Sequence, residues 1–152
     1  MIEIRHLTPD DWPVFRAMRR AALREAPAAF GSTLASWSGD GDTQDRWRAR
    51  LSTVPHNAFA LVDGIPAGMA SGTIPDADGR VELISMWVAP PARGRGVGEA
   101  LVADIAAFAT PAPLVLRVYA TNARALSLYR RVGFLQIGTE ADELVFLRPS
   151  RG

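Results

Sequence analysis

The stretch that decides the fold reads Trp87-Val88-Ala89-Pro90-Pro91-Ala92-Arg93-Gly94-Arg95-Gly96-Val97-Gly98. An apolar segment (81–88) leads into it, and a segment with helical apolar spacing (97–109) follows it. Glycines let an anion approach the backbone closely, and the free N–H groups at a helix start carry about half a positive charge. Arg93 and Arg95 add forked donors that suit phosphate oxygens. The stretch therefore predicts a strand, an anion-binding loop and a helix, with a pyrophosphate as the expected ligand.

On either side of this stretch, the periodicity of apolar residues predicts the remaining elements. Strands are expected over 2–6, 58–62, 65–74, 81–88, 114–119, 134–137 and 144–147, and helices over 8–25, 43–51, 97–109 and 122–132. Because a helix joins the strands 81–88 and 114–119, these two are expected to run parallel. We therefore expect one α/β (α+β) domain over residues 1–152, in the order β-α-α-β-β-β-α-β-α-β-β. Its central sheet is mixed, mostly antiparallel and built from about six or seven strands, with helices on both faces.

The first helix and the loop after it carry two further expectations. The arginines of the helix are expected on its solvated faces, away from the apolar stripe: Arg16, Arg19, Arg20 and Arg24. The loop 28–41 is rich in glycine and serine, yet it contains Phe30 and Trp37. These aromatic side chains either cover the core or line a ligand pocket.

The composition excludes several classes of function. The chain has 17 basic and 16 acidic residues, and a net charge of +1 argues against nucleic acid or an anionic membrane as a partner. It contains no Cys, and its basic residues are all Arg. A thiol nucleophile, a thiolate metal site, a Schiff base and a P-loop lysine are therefore excluded. Since no apolar run approaches the roughly 20 residues of a membrane span and no signal-peptide core opens the chain, we expect a cytoplasmic protein without a metal.

Two further classes of glycine loop match this spacing less well. A Walker loop ends in Gly-Lys-Ser/Thr, whereas Gly98 is followed by Glu99. A dinucleotide-binding loop has the spacing G-x-G-x-x-G and an acidic residue about 20 positions later, but the glycines here are Gly94, Gly96 and Gly98. A plain glycine-rich turn stays an alternative, although it leaves the two arginines without a role.

The glycine loop contains Arg93-x-x-Gly96-x-Gly98, which resembles the acetyl-coenzyme A signature Q/R-x-x-G-x-G/A of the GNAT superfamily of N-acetyltransferases. A later segment resembles the helix-and-strand motif of the same family: Asn122-x-x-Ala125-x-x-Leu128-Tyr129-x-x-x-Gly133-Phe134. The two motifs stand in the family's order and cover roughly residues 81–137. A weaker resemblance links Ala29-Phe30-Gly31-Ser32 to the acceptor-side segment of many small bacterial members.

The resemblance implies a GNAT-type fold and a cleft where the strands 81–88 and 114–119 separate, in which acetyl-coenzyme A (acetyl-CoA) binds. The implied cofactor-binding residues are Met86, Trp87, Val88, Arg93, Gly94, Arg95, Gly96, Val97, Gly98, Asn122, Ala125 and Tyr129. Asn122 is equally well explained as the cap of the last helix. Phe30, Gly31 and Ser32 are the implied contacts of the acceptor.

The resemblance also implies direct attack of an amine on the thioester in a ternary complex. Tyr129 would protonate the departing thiolate, and Glu82 would act as general base through water. The alternatives are a core tyrosine and a Glu82 that faces solvent or pairs with an arginine, and Glu25 and His56 are weaker candidates for the base. The function implied is N-acetyl transfer to a small-molecule or protein amine. Its alternatives are a non-catalytic acyl-CoA sensor and a nucleotide-binding module of another class, and a homodimer is left open.

Overall fold

Every strand and helix expected from the sequence is present in residues 1–150, the part of the chain that the computed structural model describes. The strands are β1 (Ile2–His6), β2 (His56–Val62), β3 (Ile65–Gly72), β4 (Val81–Val88), β5 (Leu114–Tyr119), β6 (Leu135–Glu140) and β7 (Glu143–Arg148). The helices are α1 (Trp12–Glu25), α2 (Gln44–Thr53), α3 (Val97–Ala109) and α4 (Ala123–Arg131). None of these helices is long and apolar enough to cross a bilayer.

The strands form one sheet in the order β1-β2-β3-β4-β5-β7-β6. As predicted, β4 and β5 run parallel, and the other neighbours are antiparallel. The parallel pair is short, because it joins only Val81 to Leu114 and Glu82 to Val115. Beyond these two positions β4 and β5 diverge, and the sheet opens toward their carboxyl ends.

The two faces of the sheet bury separate cores. Along β2, Ala58 and Ala60 belong to the cluster under α3 and α4, while Phe59 and Leu61 belong to the cluster under α1 and α2. This alternation follows from the two-residue period of a strand. Burying one large apolar side chain contributes about 1.5–3 kcal/mol, and fully buried members such as Trp47 anchor the second cluster.

The loop between α1 and α2 is held by one carboxylate. Asp42 accepts hydrogen bonds from Arg16 Nε at 2.7 Å, from Arg16 Nη2 at 2.5 Å and from Trp47 Nε1 at 2.7 Å. These donors hold the pKa of Asp42 well below its usual range, with the Arg16 contact the largest cause. Three short 3-10 turns fill the loop (Pro27–Ala29, Ala35–Trp37 and Gly39–Gly41).

Both expectations for the loop aromatics hold together, because Phe30 and Trp37 pack against the second core and also line the cleft described below. One expectation for α1 is wrong. Arg19 is buried rather than solvated, because it follows Phe15 by one helical turn and therefore lies on the apolar stripe of the helix. β6 and β7 extend beyond the predicted ranges 134–137 and 144–147. In β6 the additional residues are polar and carry no apolar alternation, so the pattern does not mark where this strand ends.

Candidate active site

A large cleft opens where β4 and β5 separate, and it encloses about 1220 Å³. Pockets for a single small ligand usually measure roughly 300–1,000 Å³. The cleft extends from the glycine loop at the start of α3, past β4, to the loop after α1. Its size and shape allow two ligands to meet end to end.

A bulge shapes β4 at the edge of this cleft. Met69 of β3 pairs with Trp87 and Ser71 pairs with Ile84, so two β4 residues face a single β3 residue between these pairs. One of the two, Ser85, has a positive φ of 55°. Bulges bend a strand and release backbone groups from the ladder. Here the bulge lies beyond the last β4–β5 pair and beside the predicted pantetheine contacts Met86, Trp87 and Val88, all of which line the cleft.

The glycine loop presents free N–H groups, as predicted. Gly94 and Gly96 have φ of 79° and 86°, which side chains disfavour. Ala100 is the first residue of the helix whose N–H reaches a carbonyl, that of Gly96 at 3.1 Å. The preceding N–H groups at the helix start therefore remain available to an anion. Gly98 has a packing role too, because a Cβ there would lie 2.8 Å from Leu128 Cδ2.

The two arginines of the loop differ. Arg93 lines the cleft, donates from Nε to the Val88 carbonyl at 3.0 Å, and contacts the Glu25 carboxylate with Nη2. Arg95 is exposed and is not among the residues that line the cleft. Its contact with the pyrophosphate stays a prediction.

The second motif also reaches the cleft. Asn122 caps α4, since its Oδ1 accepts from Ala125 N at 3.3 Å, and both residues line the cleft. Tyr129 lines it as well and packs edge-on against Phe134 at 5.6 Å between ring centroids. Burial raises the pKa of Tyr129, so the phenol keeps its proton at neutral pH. No hydrogen bond occupies its hydroxyl in residues 1–150.

The predicted base Glu82 does not line the cleft. Its carboxylate accepts from Arg117 Nη1 at 3.0 Å, and Arg117 Nε also donates to Glu140 at 2.7 Å. The arginine pairing that the sequence left as an alternative is therefore present, and a base role for Glu82 stays a prediction.

A different carboxylate, Glu143, does line the cleft, and it forms no ion pair within the described residues. Glu143 opens β7 and pairs with Tyr119, at the divergent end of β5. The order of elements along the chain does not indicate that β7 neighbours β5, so the sequence gives no signal that places Glu143 at the cleft.

The weaker candidates for the base are placed differently. Glu25 lines the cleft but is paired with Arg93. His56 lies outside it, with Nε2 2.8 Å from an Asp104 oxygen, and His6 contacts the other oxygen at the same distance. The ligand atoms of these three residues lie within 4.8 Å of one another, a spacing that suits a metal ion.

The predicted acceptor contacts Phe30, Gly31 and Ser32 line the cleft in the loop after α1, and we call this part the acceptor end. It also contains two arginines that sequence reasoning missed, Arg19 and Arg50. Burial lowers the pKa of each to about 10, and for Arg50 the charge of Arg19 contributes as well. Both guanidinium groups therefore remain charged at neutral pH.

Comparison with known proteins agrees with this geometry. A family model described as the acetyltransferase (GNAT) family matches residues 12–134. Streptothricin acetyltransferase from Streptomyces lavendulae is 32% identical over 125 residues, which is 79% of this chain and 66% of that protein. The N-alpha-acetyltransferase RimI from Mycobacterium tuberculosis is 33% identical over 118 residues, 74% of this chain and 62% of that protein. The chain thus spans less than two thirds of each of these relatives.

Among solved structures, the fold is similar to the PaiA N-acetyltransferase from Thermoplasma acidophilum, which was crystallised in complex with coenzyme A. The TM-score is 0.78 at 17% identity, over 98% of this chain and 99% of that one. At this identity the likeness establishes the fold alone, and that fold is the one the glycine-loop motif implied.

Proposed function

The chain belongs to the GNAT acetyltransferase family, and we propose that it transfers the acetyl group of acetyl-CoA to a primary amine. The observation that carries the proposal is that the glycine loop, the bulged strand β4 and Tyr129 all line one cleft. The glycine loop supplies an anion-binding end, β4 supplies an open strand edge, and Tyr129 supplies a proton donor along the same cleft. Acetyl-CoA supplies an activated thioester, and the residues of this chain orient it and manage charge and protons.

The glycine loop would bind the pyrophosphate through the N–H groups of residues 95–98. Each hydrogen bond to a charged oxygen contributes about 1.5–3 kcal/mol, so several anchor the ligand strongly. Beyond the bulge, backbone groups near Trp87 and Val88 would pair with the pantetheine arm and polarise the thioester carbonyl. Ala125 leaves space beside that arm because its side chain is a single methyl group.

The amine would attack the carbonyl carbon while the carbon–sulfur bond breaks, and Tyr129 would protonate the thiolate. The Tyr129 phenol keeps its proton at neutral pH, because burial raises its pKa, and it can therefore donate that proton to the thiolate. No cysteine is available for an acyl-enzyme route, which favours direct transfer within a ternary complex.

The amine must lose a proton before it attacks. An alkylammonium has a pKa of about 10.4, so its neutral form costs about 4 kcal/mol at pH 7. Glu82 through water is the base that the sequence predicts. Glu143 is a second candidate because it lines the cleft without an arginine partner in the described residues.

The experiment that tests the proposal compares ligands by thermal shift: acetyl-CoA, coenzyme A, NAD and ATP. A ligand at 100 times its Kd adds about 2.7 kcal/mol of stability, which raises Tm by several degrees. We expect a shift with acetyl-CoA and coenzyme A only, followed by release of free coenzyme A when amines are added. A shift without turnover on any amine would favour an acyl-CoA sensor, and no shift would overturn the proposal.

A pair of glycine variants locates the ligand. Gly96→Glu places a negative charge at the proposed pyrophosphate position and is expected to abolish the thermal shift. Gly79→Glu is the matched control, because Gly79 also has a positive φ, of 75°, but lies in a surface turn with nothing within 4 Å of a Cβ. Equal losses in both variants would contradict the site.

A further inference from the structure

Arg19, at the acceptor end of the cleft, is a buried arginine that has no counter-ion in residues 1–150. Its side chain is 8% exposed, and its Nη1 has no hydrogen-bond partner in residues 1–150. Its guanidinium lies over the Phe30 ring at 4.7 Å. Arginine is almost never this buried unless it is paired, because an isolated charge is costly to desolvate. Since its charge is uncompensated in residues 1–150, a ligand is the expected source of its counter-ion.

Arg50 does not neutralise this region but adds to its positive charge. It donates to Asn57 Oδ1 at 2.9 Å, to Ser71 Oγ at 3.2 Å and to Ser85 Oγ at 3.1 Å. All three acceptors are neutral, so Arg50 is held in place while its charge stays uncompensated. Two like charges thus share one end of the cleft.

The carboxylates of the cleft are engaged elsewhere or lie at another edge. Glu25 contacts Arg93, and Glu99 accepts from Arg131 Nη2 at 3.1 Å. Glu143 belongs to β7, on the far side of β5 from β4. Within the described residues, therefore, no carboxylate is paired with Arg19 or Arg50.

A second buried donor, Trp87 Nε1, is also without a partner in residues 1–150. Trp87 is 8% exposed, lines the same cleft and packs in the core cluster of α1 and α2, as do the neighbours of Arg19 in α1. Most buried polar groups in proteins are hydrogen-bonded. Two N–H groups without a hydrogen-bond partner in one cleft therefore indicate that a ligand supplies hydrogen-bond acceptors there.

The pyrophosphate of the donor substrate does not supply the counter-ion of Arg19. The glycine loop proposed for that pyrophosphate begins α3, which packs on the opposite face of the sheet from α1 and α2. Arg19 lies instead beside Phe30, where the amine substrate is expected.

We propose that the acceptor is a small amine that also bears a carboxylate or phosphonate group, and that Arg19 binds this anion. The inference rests on the proposed function and names the substrate class of the same site. A guanidinium fork matches two oxygens of either group, and the anion would fix the distance from the amine to the thioester carbonyl.

The first test compares acceptors in matched sets. Amino acids and aminophosphonates of several chain lengths are each assayed beside the uncharged amide and the alkylamine of equal length. We expect kcat/KM to be at least ~10-fold higher for one anionic series than for its uncharged partners, which is about 1.4 kcal/mol. Whether the carboxylate or the phosphonate is preferred identifies the anion. Equal use of charged and uncharged amines would overturn the inference and leave the proposed function intact.

The second test uses Arg19→Met, which keeps the volume and removes the charge. We expect it to abolish the preference for the anionic acceptor, to leave the Kd of acetyl-CoA unchanged and to raise Tm in the absence of ligand, because an uncompensated charge is removed. A structural arginine would instead lower Tm when replaced. Arg24→Met is the control, since Arg24 is exposed on the same helix, and it should change neither preference nor Tm appreciably.

A binding measurement separates the two proposals if no amine is acetylated. Calorimetric titration of the preferred anionic amine, and of its uncharged partner, into the coenzyme A complex reports the anion site without turnover. Binding of the anionic member alone, lost in Arg19→Met, supports the inference even for a sensor. Absence of such binding refutes it, while failure to bind coenzyme A at all would refute the proposed function instead.

Discussion

A Cβ atom at Gly98 would lie 2.8 Å from Cδ2 of Leu128, so the start of α3 and the middle of α4 approach as closely as a missing side chain allows. This contact joins the two helices that carry the predicted cofactor motifs. Packing of the two helices thereby sets the spacing between the motifs.

Gly98→Ala forces the end of the Leu128 side chain to move, and because that side chain can rotate we expect the free energy of unfolding to fall by no more than about 1 kcal/mol. Leu128→Ala in the same chain should recover part of that loss, giving a favourable coupling energy in a double-mutant cycle measured by urea denaturation. Gly138→Ala is the control, since nothing lies within 4 Å of its Cβ position. Equal costs at the two glycines would contradict the packing role.

Tyr129→Phe is expected to lower kcat by about 100-fold, since a positioned general acid contributes 10²–10⁴-fold, and to leave the Kd of acetyl-CoA within about twofold. The hydroxyl removed makes no hydrogen bond in residues 1–150, so Tm should change little. Tyr119→Phe alters the other tyrosine, which does not line the cleft, and should retain full activity. If Tyr129→Phe turns over at the wild-type rate, Tyr129 is not the general acid.

Glu143→Gln and Glu82→Gln together identify the base. We expect Glu143→Gln to reduce kcat/KM more at neutral pH, because Glu143 faces the cleft whereas Glu82 reaches it only through Arg117. A true base variant should regain activity as the pH rises toward the pKa of the amine. If Glu82→Gln shows the larger loss and this recovery, the water-mediated role of Glu82 is correct.

Asp42 is expected to make the protein sensitive to acid. Its pKa is lower in the folded than in the unfolded chain, so its contribution to stability is complete above about pH 4 and is lost as the pH falls further. The difference in Tm between wild type and Asp42→Asn should therefore be largest at neutral pH and shrink on acidification. Asp40→Asn, in an exposed position of the same loop, should follow the wild-type curve at every pH.

The sequence predicts the elements of this fold well because its strands and helices have clear apolar periods. Most residues predicted for the cofactor end line the cleft, because the glycine loop is contiguous in the chain, and their roles stay predictions. The exception is Arg95, whose residue type suits phosphate but which does not line the cleft. Gly94 and Gly96 on either side of it adopt positive φ, and this turn geometry is not read from residue type alone.

The acceptor end is harder to predict because it is assembled from distant segments. Glu82 stands out in its strand, yet its partner Arg117 comes from the neighbouring strand and takes up the charge. Arg19 could have been found, since it follows Phe15 by four positions on an amphipathic helix. Its charge alone predicts a solvated Arg19, whereas its position on the apolar stripe of α1 predicts the burial that is observed.

The separate cores on the two faces of the sheet have an evolutionary consequence. If the proposed acceptor site is correct, substitutions in α1, α2 and the loop between them can change acceptor recognition while the core under α3 and α4 keeps its packing. The two faces of the sheet can therefore change independently within one domain. Exchanging residues 12–53 between homologues would transfer acceptor specificity from one protein to another.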